Sequence, residues 1–135
     1  MQILGIGIDI FENIRIKKLI KNNKFLLRIY SKDEIDKSKK ITNKVAFFSK
    51  RYAAKEAFSK ALGYVFRKKL NFKDVSVSND KYGKPLIKMN SKIKNLSEKK
   101  LNTKKLNIFL SLSDEKKYSI AFVIIGKKWI LIKVF

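Results

Sequence analysis

An α+β fold, in which antiparallel strands pack against one long central helix, follows from three features of the sequence. Residues 3–12 (ILGIGIDIFE) alternate with the period of a strand. Residues 47–63 (FFSKRYAAKEAFSKALG) carry apolar side chains at helical spacing and stop at Gly63. After that stop the period returns to two, in hairpin patterns around 72–89 and 106–125.

Taken in order, the first strand puts Ile6, Ile8 and Ile10 on one face and Gly5, Gly7, Asp9 and Phe11 on the other. Two glycines beside Asp9 leave room for another backbone or a ligand to approach. Asp9 serves equally well, on this reading, as the cap of the next helix. Residues 13–30 set Ile16, Leu19, Ile20, Leu26, Leu27 and Ile29 among Arg15, Lys17, Lys18, Lys21, Lys24 and Arg28. That predicts a helix interrupted near Asn22 and Asn23, with one strongly basic side. Ser31 to Glu34 fits a capping box and starts a further helical piece through about Lys39. A polar link at 41–44 leads to the main helix.

On that helix Ala46, Phe47, Ala53, Ala54, Ala57, Phe58 and Ala61 share one side, and Ser49, Tyr52, Glu56 and Lys60 gather opposite. Glu56 and Lys60 are neighbours on its surface, which by itself describes a solvated ion pair. Further on, FKDVSVS (72–78) alternates, NDKYGKP (79–85) is a turn holding the chain's one proline, and 86–89 returns as a strand. Residues 90–105 read as a short helix with lysine-rich ends. Residues 106–113 and 118–125 form a second hairpin, and the latter run is apolar on both faces, as a central or interface strand is. Residues 127–135 add an apolar extension. With no repeat or linker, residues 1–135 read as a single domain.

Composition narrows the chemistry. The chain has no cysteine and no histidine, which excludes a thiol nucleophile, thiolate metal sites and any Ser-His-Asp arrangement. Its net charge of +22 raises nucleic acid as a partner. Against that, arginine is confined to Arg15, Arg28, Arg51 and Arg67, and the lysines are scattered. An acidic protein or a polyphosphate suits such a surface equally. No apolar run is long enough to span a bilayer and the opening lacks a signal peptide, so a cytoplasmic protein without a membrane partner is expected. Gly5-Ile6-Gly7 lacks the rest of a dinucleotide fingerprint, and there is no P-loop. What remains is Asp9, Glu56 and nearby lysines, an oxygen donor set suited to Mg2+ completed by substrate phosphates.

The stretch GIGIDIFE (5–12), followed by Arg15-Ile16, resembles the opening of the holo-acyl-carrier-protein synthases, the small trimeric type of 4′-phosphopantetheinyl transferase. KRYAAKEAFSKALG (50–63) is similar to that family's second motif, NDKYGKP (79–85) to its third region, and LSLSDEKKYSIAFVII (110–125) to its closing hairpin. The resemblance implies the family fold and transfer of 4′-phosphopantetheine from coenzyme A to a serine of apo acyl carrier protein. It implies Asp9 and Glu56 as Mg2+ ligands and, with Lys60, as the catalytic residues. Arg51, Lys55, Lys60, Gly63, Gly83, Lys84 and Pro85 would contact coenzyme A, the last three from a neighbouring subunit of a homotrimer. Arg15, Lys21, Lys24, Phe25 and Arg28 would dock the acidic carrier protein. The serine proton would pass to Glu56 or to a water on the metal.

The chain departs from the family pattern twice. Phe109 stands where many relatives carry a histidine, and residues 127–135 run past the usual end. Two other readings therefore remain, a basic nucleic-acid-binding protein and a family member that binds its partners without catalysis.

Overall fold

The computed structural model describes residues 1–64 and 70–129. Strand β1 (Gln2–Glu12) leads into three short helices, α1 (Asn13–Leu19), α2 (Asn23–Ile29) and α3 (Lys32–Ser38), and then into the long helix α4 (Lys44–Leu62). A 3-10 turn (Phe72–Asp74) opens the hairpin β2 (Val75–Asn79) and β3 (Pro85–Met89). Helix α5 (Ser91–Leu101) and the hairpin β4 (Leu106–Asp114) and β5 (Tyr118–Lys127) complete the order. All but the first three residues of the expected C-terminal extension lie outside the described residues.

Local chemistry sets the boundaries. The Asn22 side chain accepts from the backbone N–H of Lys24 at 2.9 Å, so the chain restarts as α2 where the basic stretch is interrupted. Ser31 and Glu34 form the reciprocal capping box of α3. Asn43 caps α4, and Gly63 ends it with a left-handed φ of 82°.

The larger sheet is antiparallel in the order β1-β5-β4, so β5 is its central strand; β2 and β3 form a separate two-stranded sheet. Along β1 and β5, Gly7 faces Val123, Asp9 faces Ala121 and Phe11 faces Ser119. These residues line the inner face, against α4. Room beside Asp9 is indeed used by another backbone. A Cβ on Gly7 would lie 1.8 Å from the Ala57 carbonyl oxygen, and one on Gly5 would lie 2.0 Å from that of Ala61. Strand and helix backbones touch here, which no side chain larger than hydrogen permits.

Helix α4 is buried more completely than an amphipathic pattern predicts. Ser49 and Lys55 are fully buried along with Ala53, Ala54, Ala57 and Phe58, because the short helices and β2 cover the side that the sheet does not. Ser49, expected on the polar side, is therefore a core residue. The sheet's other face is the reverse: Ile6, Ile8 and Ile10 are each more than half exposed, and Phe109, Ile120 and Phe122 are exposed beside them.

Gly7→Ala is expected to lower stability by about 3 kcal/mol, since a backbone carbonyl must move to admit the methyl group. Gly83→Ala, where the added Cβ meets nothing within 4 Å and only φ of 86° opposes it, is expected to cost roughly 1 kcal/mol. Urea unfolding of the two variants measures the difference.

Candidate functional site

The strand–helix contact brings Asp9 of β1 to the middle of α4. Lys60 Nζ donates to Asp9 Oδ1 at 3.0 Å and to the Ile8 carbonyl at 3.0 Å. Glu56 sits one turn earlier on the same flank. Burial raises the Asp9 carboxyl above its ordinary value, while Lys60 and Arg15 pull it back. Glu56 is raised by burial and then by the neighbouring charge of Asp9, with Lys60 opposing. The two carboxylates thus repel each other across a shared, half-buried space. Two acids held together in this way favour a cation between them.

Tyr52 completes the wall. Its ring lies 4.5 Å from Phe11 and is stacked on Phe72 at 5.4 Å. Its hydroxyl is raised by burial and by the adjacent Glu56 charge. Arg15 lies over the outer neighbour, with its guanidinium 4.7 Å from the Phe11 ring centre.

Glu56 and Lys60 face a cavity of about 800 Å³. Phe25 and Arg28 of α2 form one side, Gly63 and Tyr64 one end, and Leu70, Asn71 and Phe72 the other side. Phe25 and Arg28, two of the five residues of the expected carrier-docking surface, therefore border the same space as Glu56 and Lys60. Lys21, Lys24 and Arg15 are exposed on that side of the chain, whereas Phe25 is mostly buried and presents only part of its ring.

Arg51, Gly83, Lys84 and Pro85 meet elsewhere, in a recess of about 490 Å³ that shares no residue with the larger cavity. Arg51 Nη2 donates to Asn79 Oδ1 at 3.2 Å, Lys37 Nζ donates to the same oxygen at 2.7 Å, and Asn79 Nδ2 donates to the Gly83 carbonyl at 2.9 Å. The guanidinium also lies 3.6 Å over the Phe47 ring. Its Nε has no partner among the described residues, and burial makes its positive charge costly. A group of cations sharing one amide oxygen is short of negative charge.

One expected ligand contact is corrected. Lys55 does not reach either space: its ammonium is fully buried and paired with Glu34 at 2.7 Å, and it also donates to the Phe72 and Val75 carbonyls. Adjacent helix positions differ by about 100°, so Lys55 points inward where Glu56 points to the cavity. Tyr52, Lys37 and Asn79 belong to these sites without having been singled out from sequence. Tyr52 carried a signal, four residues before Glu56 on one helical flank; Lys37 carried none.

A model of the 4′-phosphopantetheinyl transferase superfamily matches residues 5–123. A holo-[acyl-carrier-protein] synthase of Pelagibacter ubique is 59% identical over 128 residues, covering 95% of this chain and 100% of that protein. The crystal structure of the Neisseria meningitidis holo-[acyl-carrier-protein] synthase superposes with a TM-score of 0.84 at 32% identity, covering 93% of this chain and 100% of that one. The Bacillus anthracis synthase, solved in complex with CoA (3′,5′-ADP), gives a TM-score of 0.78 at 34% identity, over 95% of this chain and 100% of that one.

Removing one charge of the buried pair leaves the other stranded, so Lys55→Met is expected to destabilise by about 3–5 kcal/mol. Lys60→Met, whose side chain is 53% exposed, is expected to change stability by under about 1 kcal/mol. Chemical denaturation of both variants separates the structural lysine from the one at the cavity.

Proposed function

The chain belongs to the 4′-phosphopantetheinyl transferase superfamily, among its holo-[acyl-carrier-protein] synthases, and from that premise we propose that it moves 4′-phosphopantetheine from coenzyme A to a serine of apo acyl carrier protein. The observation that carries this reading is the meeting of Asp9 and Glu56 beside Lys60 at the edge of the larger cavity.

Asp9 and Glu56 would hold Mg2+. The donor set fits, because two carboxylates with no third acid, histidine or cysteine grouped with them among the described residues leave the remaining positions to water and phosphate oxygens. When bound, the ion would neutralise charge on the pyrophosphate oxygens. Lys60, which donates to Asp9, would bind the pyrophosphate on the same side. The carrier's serine would enter past Arg28 and Phe25. Its hydroxyl oxygen bonds to the phosphorus bearing pantetheine, and the bond from that phosphorus to the leaving phosphate breaks. Adenosine 3′,5′-bisphosphate departs, and the serine proton passes to Glu56 or to a water beside it. Burial and the Asp9 charge make Glu56 a better proton acceptor than an exposed carboxylate.

Arg51, Lys37, Gly83, Lys84 and Pro85 would bind the nucleotide's phosphate and adenine. They lie on another flank of α4 from Glu56, so a single coenzyme A would bridge two copies of the chain. The exposed apolar face of Ile6, Ile8, Ile10, Phe109, Ile120 and Phe122 supplies the surface for such an assembly, proposed here as a homotrimer. Among the described residues no helix is long and apolar enough to cross a membrane. With coenzyme A and a carrier protein as substrates, the proposed place of work is the cytoplasm.

Isothermal titration with coenzyme A tests the site. Affinity is expected to rise about tenfold on adding Mg2+, and Asp9→Asn is expected to remove that increment. Glu56→Gln is expected to abolish carrier modification while melting close to the parent. Near-parental turnover in Glu56→Gln rejects its role, absence of turnover in the parent favours a binding-only member, and salt-dependent RNA binding with no response to coenzyme A favours the nucleic-acid reading.

Ile8→Lys places a charge in the centre of the apolar face and is expected to yield monomers that bind coenzyme A at least about tenfold more weakly. Light scattering and titration of that variant check the assembly; a monomeric parent with full affinity rejects it.

A further inference from the structure

One buried charge pair takes no part in the chemistry above. The Lys55 ammonium gives its protons to Glu34 Oε1 at 2.7 Å, to the Phe72 carbonyl at 2.9 Å and to the Val75 carbonyl. Glu34 also accepts from the Ser31 N–H at 2.9 Å and, through its other oxygen, from the Val77 N–H at 3.1 Å. The pair thus ties the start of α3, the 3-10 turn and β2 to α4, at the residue before Glu56. Both side chains are fully buried.

Cohesion alone does not call for such a pair. Apolar side chains of similar volume hold a core as well or better, because removing two charges from water costs about as much as their attraction returns. What an apolar pair lacks is a grip on backbone carbonyls. The carbonyl gripped here belongs to Phe72, whose ring walls the larger cavity and stacks on Tyr52 at 5.4 Å with planes 20° apart. Tyr52 in turn packs on Phe11 and stands beside Glu56 on the cavity wall.

We propose that Glu34 and Lys55 are positioning residues for the transferase site: by drawing the Phe72 carbonyl inward, the pair fixes the Phe72–Tyr52 stack that shapes the coenzyme A cavity next to Glu56. The inference rests on the reading of that cavity as the coenzyme A site. It assigns the pair an effect on ligand binding that a purely cohesive role lacks.

The test compares Glu34→Met/Lys55→Met, Phe72→Leu and the triple variant. The double variant strands the Phe72 and Val75 carbonyls and the Ser31 and Val77 N–H groups. It is therefore expected to melt below the parent while remaining folded, to lose nuclear Overhauser contacts between the Tyr52 and Phe72 rings, and to bind coenzyme A about tenfold more weakly. Phe72→Leu is expected to show the same loss with the pair intact. The triple variant is expected to bind no more weakly than the double, since both changes act through one stack. A folded double variant that keeps the ring contacts and binds within about twofold of the parent overturns the proposal, as does a triple variant in which the losses multiply. Should the double variant not fold, Phe72→Leu decides: a tenfold loss supports the proposal, and parental affinity overturns it. A parent that does not bind coenzyme A defeats the cavity reading alone, and the ring contacts then decide the role of the pair.

Discussion

Everything at the site depends on how closely β1 lies on α4. Two residues of strand advance about 6.7 Å and four residues of helix about 6 Å, so glycines two apart can mesh with alanines four apart. Gly5 meets the backbone at Ala61, and Gly7 meets it at Ala57. The strand runs opposite to the helix, so the next inward position, Asp9, falls level with the turn that carries Tyr52 and Glu56. Lys60 reaches back across that turn to close the group. A larger residue at either glycine would lift the strand from the helix and take Asp9 with it. The acid pair is thus a product of packing between two backbones and needs no loop to assemble it.

This contact also explains which parts were legible in the sequence. The close approach of β1 and α4 was legible because Gly5 and Gly7 stand on one side and alanines on the other. The roles given to Asp9 and Glu56, by contrast, came from the family resemblance. Helix boundaries were legible where a single side chain sets them, as at Asn22, Ser31 and Gly63. Of the order β1-β5-β4, the hairpin pattern at 106–125 paired β4 with β5 and the two-sided apolar run of β5 placed it centrally, but nothing local named β1 as its other neighbour. Ser49 was misplaced because periodicity along α4 is silent about the elements that cover its other side. Lys55, expected at coenzyme A through the family resemblance, is buried against Glu34 by that same covering. The recess around Asn79 was legible only in part. Gly83, Lys84 and Pro85 announce a turn, but Lys37 arrives from α3 through tertiary packing that no local pattern encodes.

The excess of lysine shows why residue type is a poor guide to role in this chain. Lys37, Lys55 and Lys60 each hold a side-chain oxygen at 2.7 to 3.0 Å, yet their surroundings differ completely. Lys55 is enclosed, and burial works against its charge while Glu34 restores it. Lys60 is half in water and pairs with Asp9 at the cavity edge. Lys37 shares an amide oxygen with Arg51, so neither cation is neutralised by what it touches. Lys55 is paired with a buried carboxylate, Lys60 with a carboxylate at the cavity edge, and Lys37 with a neutral amide oxygen. That distinction rests on partners and burial, and a count of charges does not contain it.

The cavity at Lys60 and Glu56 and the recess at Arg51 share no lining residue within one chain. Lys60 and Glu56 open to the cavity beside α2, while Arg51 opens to the recess between the β2–β3 turn and β4. On the proposed function, a coenzyme A that uses both spaces would take the recess from a second copy. The apolar face of the three-stranded sheet is the surface of the proposed assembly, since leaving Ile6, Ile8, Ile10 and Phe122 in water is unfavourable. Both features turn on β1. Its inner positions need glycine to lie on α4, and its outer positions leave isoleucines exposed as the surface of the proposed assembly. An eleven-residue strand with period two thus addresses the acid pair on one face and the proposed assembly on the other. This is why the alternation at the start of the sequence carried so much of the functional reading.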